Sequence, residues 1–228
     1  MVAGGAGALG RAVVAALLER GARVAVPFRS AAAWESLRDG LDAGAALWGG
    51  PADLADPASA DAFVDEATAW LGGLDGAAAL AGAYAGSATL EAAPAREWDD
   101  MLRANLSTAY GLCRASLPHL LGRGGSVVTV GSRLAEGGGA GATAYAVSKA
   151  AVVALTRVLA LENRDRGVRF NCVMPGIIDT PANRAAMPGA DASSWTPPEA
   201  IARVVVFLLS PESAAVTGAV VPVDGKDR

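Results

Sequence analysis

The sequence predicts an α/β fold, a doubly wound parallel sheet of about seven strands with helices on both faces. Three observations predict it. Strand-like and helix-like stretches alternate from end to end, the pattern of parallel strands joined by helical crossovers. A glycine-rich turn, Gly4-Gly5-Ala6-Gly7-Ala8-Leu9-Gly10, joins the first strand-like residues to the first helix. Of the 228 residues, 52% are hydrophobic and only 18% charged, which excludes disorder and supplies a core on both faces of a sheet.

The elements follow in order. Residues 1–3 are the stub of a first strand, and 11–20, free of Gly and Pro, form a helix. The Val-rich stretch 22–28 is the second strand and 34–41 a helix. A weak third strand at 45–48 ends near Asp53, and 60–71 is helical. Small residues at 76–81 form a strand, followed by a long helix over 97–121. The strand 127–130 leads into a flexible loop at 136–141, a long helix at 143–163 and a strand at 169–174. A Pro-rich excursion covers 175–198, before a helix at 199–209 and a final strand at 219–223. No linker or repeat interrupts the chain, so residues 1–228 are expected to form one domain. A central strand usually has about five or six residues, yet three precede the glycine turn. The natural start is therefore expected upstream of Met1, an unusually short strand being the other reading.

Composition narrows the partners. A net charge of −4, a pI near 5.0 and the lack of any basic run argue against nucleic acid. Cys113 and Cys172 lie in predicted helix and strand without metal-ligand spacing. They are expected to be buried free thiols of a reducing cytosol, with no metal site. No segment reaches ~18 consecutive apolar residues, and the start has no basic-then-apolar leader pattern. A cytoplasmic protein without a membrane partner is the expectation.

The glycine turn carries chemistry. Gly5, Gly7 and Gly10 fit a G-x-G-x-x-G spacing, and Gly4, Gly7 and Gly10 fit G-x-x-G-x-x-G. Missing Cβ atoms let a backbone turn tightly and approach a pyrophosphate, to which the helix N-terminus offers unpaired N–H groups. The end of the second strand bears on which dinucleotide binds. A carboxylate there would hold a ribose diol, but the chain has Pro27-Phe28-Arg29-Ser30. Arg29 pairs well with a 2′-phosphate and Ser30 adds a hydrogen bond, so NADP is preferred, with NAD as the other candidate.

Tyr145 and Lys149 stand four residues apart and share one helix face. An ammonium beside a phenol favours the phenolate and is expected to lower the Tyr145 pKa. The preceding strand ends at Ser132, whose hydroxyl is placed to hold a carbonyl oxygen during proton transfer.

With the glycine turn, Ser132, Tyr145 and Lys149 in this order, the chain resembles the classical short-chain dehydrogenase/reductase family along essentially its whole length. Ser132 and Tyr145 are separated by the family's usual 13 positions. The resemblance implies a three-layer Rossmann fold with strand order 3-2-1-4-5-6-7. It implies a catalytic set of Asn105, Ser132, Tyr145 and Lys149, with Asn105 holding a relay water and Lys149 also gripping the nicotinamide ribose. Gly4, Gly7, Ala8, Leu9 and Gly10 match the phosphate turn, and Asp53 and Leu54 the pair that contacts the adenine. Ala81 and Gly82, at the end of the fourth strand, are implied cofactor contacts, as are Tyr145 and Lys149. Pro175, Gly176, Ile178 and Thr180 match the segment that passes the nicotinamide, and residues 177–198 the variable substrate loop. The ending Thr217-Gly218 to Val223-Asp224-Gly225 resembles the family's last strand. Two departures stand out. The usual threonine of the turn is replaced by Ala3, and the usual Asn-Asn-Ala-Gly is Ala79-Leu80-Ala81-Gly82, so rigidity is expected from elsewhere.

The resemblance further implies a small-molecule carbonyl or alcohol substrate. It also implies a homotetramer or homodimer through the helices 97–121 and 143–163. A quinonoid-pterin or 3-oxoacyl thioester reductase and a non-catalytic dinucleotide sensor are the alternatives. His119 reads as a satisfied or exposed histidine, and Trp195 either walls the pocket or packs. Tyr84 either lines the pocket or packs.

Overall fold

The computed structural model describes residues 1–41, 43–86, 88–137 and 139–225. Its elements are β1 (Val2–Ala3), α1 (Ala8–Glu19), β2 (Val24–Phe28), α2 (Ala31–Asp39), β3 (Leu47–Pro51), α3 (Pro57–Leu71) and β4 (Gly76–Ala79). There follow α4 (Arg96–Met101), a π-helical turn (Leu102–Ser107), α5 (Thr108–Leu120), β5 (Gly125–Val130) and α6 (Thr143–Glu162). The chain closes with β6 (Val168–Pro175), α7 (Pro181–Ala186), α8 (Pro198–Leu209) and β7 (Val220–Val223).

Several helices begin earlier than periodicity alone places them, because a cap and not the first apolar residue sets the start. Ser30 caps α2 by accepting from Ala33 N–H. Asp56 caps α3 by accepting from Ser59 N–H, with Pro57 in the first turn and left-handed Gly72 ending the helix. The expected helix 97–121 contains a π-helical turn at Leu102–Ser107. Such a turn inserts one residue per cycle and turns a side chain out of the regular stripe. Here that stretch carries Asn105.

All strand pairs are parallel. One ladder runs β1-β4-β5-β6-β7 and a second joins β2 to β3. The predicted architecture and strand neighbours are therefore present, with the hydrogen-bonded ladder divided between β1 and β2. The division has a local cause, since β1 is two residues long and its register is spent on β4, Val2 opposite Ala78 and Ala3 opposite Ala79. β2 still packs beside β1.

Both faces of the sheet are buried, and side chains alternate between two cores. Ala77, Ala79, Val127 and Phe170 face α3, α5 and α6, among Phe63, Leu112 and Leu120. Val2, Ala78, Val128 and Val173 face the other way, among Val13, Val14, Ile201 and Val205 of α1 and α8. Arg169 of β6 closes the end of α8, donating to the carbonyls of Leu208 and Ser210 and so satisfying orphan helix groups. By length and composition α6 is apolar enough to cross a membrane; in the fold it packs on β5, β6 and the π-helical turn.

Parallel strands aligned in this way bring the segments after β4, β5 and β6 to one edge of the sheet. That edge is where open α/β sheets bind ligands.

Candidate active site

Ser132 follows β5, Tyr145 and Lys149 lie in the first two turns of α6, and Asn105 sits in the π-helical turn. The fold brings them together. The Ser132 side chain lies at the Tyr145 phenol and lowers its pKa, and its oxygen accepts from Leu134 N–H at 3.2 Å. Lys149 is 6% exposed and donates to the carbonyl of Val130, the last residue of β5, at 3.0 Å. Gly82 passes between Asn105 and Lys149, since a Cβ there would lie 2.6 Å from Asn105 Oδ1 and 3.2 Å from Lys149 Nζ.

Asn105 is a clasp. Its Oδ1 accepts from Ala83 N–H at 2.9 Å, and its Nδ2 donates to Ala83 O at 3.1 Å and Ser148 Oγ at 2.9 Å. Ser148 in turn donates to Tyr145 O at 2.7 Å. A chain of bonds therefore runs from the exit of β4 through the π-helical turn to the backbone of Tyr145. It supplies the rigidity that the missing asparagine after β4 would otherwise give. With these partners, both donors of the carboxamide are engaged inside the protein. Ser148 and Ala83 were not legible as site residues, although Ser148 stands three positions after Tyr145, on the same helix face.

The electrostatics differ from the simple expectation. Burial raises the Tyr145 phenol above its ordinary value; the Ser132 hydrogen bond lowers it, and the neighbouring Tyr84 raises it further. Lys149 does not depress it in this structure, because its Nζ is turned to Val130 and lies 6.0 Å from the centre of the Tyr145 ring. Lys149 itself is pushed down from 10.5 to about 8, chiefly by burial, with Cys172 acting in the opposite sense.

This shift has a stability consequence. A lysine whose folded pKa lies below its unfolded one releases its proton first from the folded state. Between about pH 8 and 10.5 the unfolded chain then holds more protons, so stability from this group rises with pH across that window. Below it, the buried charge costs on the order of 3 kcal/mol. Lys149→Met is expected to unfold at higher urea than wild type at pH 7, with the gap shrinking at pH 10. A gap independent of pH would refute the assignment.

The phosphate turn has the shape of a cradle. Gly4 adopts φ +79°, and a Cβ on it would meet Ala81 N at 2.6 Å. A Cβ on Gly10 would lie 1.9 Å from Gly4 O. Gly7 is the N-cap of α1 and supplies no side-chain cap, which leaves the first-turn amides of Ala8, Leu9 and Gly10 for an anion. Gly7 and Ala8 are exposed while Leu9 is buried in the core. These residues fit a dinucleotide pyrophosphate.

The other residues expected along the cofactor path take the following places in the fold. Arg29 is exposed just past β2, and Ser30 keeps its hydroxyl proton free while its oxygen caps α2. Asp53 is already occupied. Its Oδ1 accepts from Ala55 N–H at 3.0 Å, and its Oδ2 pairs with Arg103 at 2.5 Å. The Ala55 bond, then Arg103 and the charge of Arg29, hold its carboxyl below the ordinary range. Leu54 is 5% exposed, so its side chain belongs to the core, and its carbonyl is packed against Gly111, where a Cβ would lie 1.9 Å from it. Ala81 and Gly82 continue β4 beside the cradle. Pro175 ends β6 and is buried, and Gly176 N–H donates to Val223 O at 3.3 Å. Ile178 pairs with Thr196 in an isolated bridge, and its carbonyl accepts from Asn183 Nδ2 at 2.8 Å. Thr180 caps α7 by accepting from Asn183 N–H at 3.1 Å. Trp195 is buried, at 4% exposure, within the excursion. His119 pairs at the surface with Asp65 at 2.9 Å. Among the described residues no cluster of three His, Cys, Asp or Glu side chains could hold a metal.

A Rossmann sheet with a glycine cradle at one strand edge and a Ser–Tyr–Lys group beside it defines a nicotinamide-dependent oxidoreductase. Known proteins agree. Residues 4–225 match the family model described as Enoyl-(Acyl carrier protein) reductase. The chain is 32% identical to 2-(S)-hydroxypropyl-CoM dehydrogenase 3 of Xanthobacter autotrophicus, covering 98% of this chain and 94% of that protein. It is 31% identical to the 3-oxoacyl-acyl-carrier-protein reductase FabG of Vibrio cholerae, covering 99% and 95%. The crystal structure of levodione reductase superposes with a TM-score of 0.90 at 29% identity, covering 98% and 95%. The chain belongs to the classical short-chain dehydrogenase/reductase family and is an NAD(P)-dependent oxidoreductase of hydroxyl or carbonyl substrates.

Proposed function

We propose that the protein is a cytoplasmic, NADPH-using reductase of a small carbonyl compound, with Ser132, Tyr145, Lys149 and Asn105 as its working set. The observation that carries this reading is the convergence of the Ser132 hydroxyl, the Tyr145 phenol and buried Lys149 at the strand edge that also holds the glycine cradle. Gly4, Gly7, Ala8, Leu9 and Gly10 would hold the pyrophosphate, Arg29 and Ser30 the 2′-phosphate, and Pro175, Gly176, Ile178 and Thr180 the carboxamide end. When bound, the dinucleotide supplies the hydride.

The chain's own residues handle the oxygen and the proton. The Ser132 and Tyr145 hydroxyls bond the substrate oxygen and stabilise the negative charge that develops on it. A phenol held above its ordinary pKa by burial is protonated at neutral pH, so Tyr145 donates a proton to that oxygen as general acid. Lys149, whose Nζ rests on Val130 O in this structure, would favour the phenolate left behind by turning its ammonium from that carbonyl toward the phenol oxygen. Asn105 fixes the Tyr145 backbone through Ser148; the relay water at Asn105 remains part of the proposal, held by something other than the carboxamide donors.

NADPH oxidation with ketones, aldehydes, quinonoid pterins and 3-oxoacyl thioesters tests the reading. Turnover with none of them would overturn it. A 3-oxoacyl thioester is the second reading, favoured by the 31% identity to FabG over 99% of the chain. Turnover confined to thioesters would select it. For the cofactor, no carboxylate stands at the end of β2 and Arg29 makes no hydrogen bond among the described residues. Arg29→Glu is expected to raise the KM for NADPH by about tenfold or more, with that for NADH little changed. Equal effects on both would remove Arg29 from the site.

The same reading extends to assembly. α6 exposes Val147, Val158 and Leu161 at 42%, 50% and 70%, an apolar stripe of the kind a second copy covers. We propose a homotetramer or homodimer through α5 and α6, and light scattering that reports a monomer would refute it.

A further inference from the structure

Tyr84 is the large aromatic residue nearest the proton donor, and its setting is unusual for ordinary packing. It is 61% exposed, so the core does not hold it. Its position is nonetheless determined. The preceding peptide, at Ala83, is pinned from both sides by the Asn105 carboxamide, and Asn105 is itself held by Ser148. The Tyr84 ring meets the Tyr145 ring edge-on, with centroids 4.9 Å apart and planes at 71°. This is the T-shaped geometry that aromatic quadrupoles prefer. Tyr84 also lies on the segment that leaves β4, as Ser132 lies on the one that leaves β5 and Ile177 on the one that leaves β6, and these strands are hydrogen-bonded neighbours. It therefore stands on the same edge as the carbonyl-binding hydroxyls, one side on the Tyr145 ring and the rest open.

Resting on the carbonyl-reductase reading above, we propose that Tyr84 is a positioning and specificity residue of this site. Its ring seats the Tyr145 phenol and offers its open surface to a flat aryl or unsaturated group bonded to the reacting carbonyl. A rigid ring presents a large flat contact at little entropic cost. A substrate with a planar group next to the carbonyl matches that surface, whereas a flexible alkyl chain gains less from it and loses more rotamer freedom on binding. Seating the phenol is a separate effect. Tyr84 covers one side of Tyr145 and keeps water from it, which holds the phenol protonated.

The test uses the full chain, NADPH and two methyl ketones of equal carbon number, one with a phenyl group on the carbonyl and one linear. Tyr84→Ala is expected to raise KM for the aryl ketone by about five- to tenfold and for the linear ketone by less than about twofold. Tyr84→Phe keeps the ring and is expected to retain the aryl preference. An aryl-to-linear ratio unchanged in Tyr84→Ala overturns the specificity role.

A second measurement needs no turnover. The chain has three tyrosines, Tyr84, Tyr110 and Tyr145, so Tyr110→Phe combined with either Tyr84 variant leaves Tyr145 as the single phenol. Ultraviolet titration is expected to give a lower midpoint for Tyr145 with alanine at 84 than with phenylalanine. Equal midpoints overturn the seating contact. Should wild type reduce no carbonyl at all, the reductase reading falls, and the titration still decides the contact by itself.

Discussion

Tyr145→Phe is expected to lower turnover by about three orders of magnitude while NADPH binding stays nearly intact. The variant removes one oxygen and leaves the ring. The ring is the part that touches Tyr84 edge-on, and the backbone stays tied to Ser148, so the local structure has no reason to move. What disappears is the phenol hydroxyl that lies at Ser132 and would donate the proton. General acid catalysis is typically worth about 10²–10⁴ in rate, and loss of one of the two oxygen ligands adds to it. Stopped-flow or steady-state NADPH oxidation checks the rate, and NADPH fluorescence titration checks binding. Activity within about tenfold of wild type would sink the assignment of Tyr145 as proton donor.

Gly10→Ala is expected to have the largest effect on the cofactor. The added methyl would lie 1.9 Å from Gly4 O and 2.7 Å from Gly5 Cα, both backbone atoms. Neither can rotate away, so α1 must shift off the turn. Two losses follow together. The first-turn amides of α1 move out of the cradle, and Val13 and Val14, both fully buried, are displaced from their packing. Overpacking of this kind costs about 1–3 kcal/mol of stability. NADPH affinity should fall by at least about tenfold, since the helix N-terminus no longer faces the pyrophosphate. Urea unfolding and fluorescence titration measure the two effects. An unchanged dissociation constant in a stably folded variant would show that the turn does not hold the phosphates.

Legibility differed between parts of the molecule. The strands and helices were readable because alternation of apolar runs with helical stretches is a property of neighbouring residues. α6 begins at Thr143, where the sequence places it. Starts set by caps were read late, as at Ala31 and Pro57, because Ser30 and Asp56 act through single side-chain bonds that leave no periodic trace. The π-helical turn at Leu102–Ser107 was invisible for a related reason, since one inserted residue hardly alters a hydrophobic stripe. In the site, the types and order of Ser132, Tyr145 and Lys149 were readable from spacing. Their partners were not. Lys149 was expected beside the phenol and is bonded to Val130 O. Asp53, expected to contact an adenine, is also paired with Arg103, fifty positions away. Leu54 was expected at the ligand and lies in the core.

By itself, the sequence determined the α/β alternation, the glycine turn at the head of α1 and the presence of a Ser–Tyr–Lys group at family spacing. Each depends on residue type and local separation, which the chain carries wherever it folds. Only the tertiary structure decided which groups are spent inside the protein and which stay open. It sets the Asn105 carboxamide on Ala83 and Ser148, turns Lys149 to the end of β5 and rests Tyr84 on Tyr145. Those contacts join segments far apart in sequence, and their geometry is fixed by the register of β4, β5 and β6 and by how α6 packs across them. Hydrogen bonds and ring contacts change sharply within an ångström, a precision that spacing along the chain does not encode.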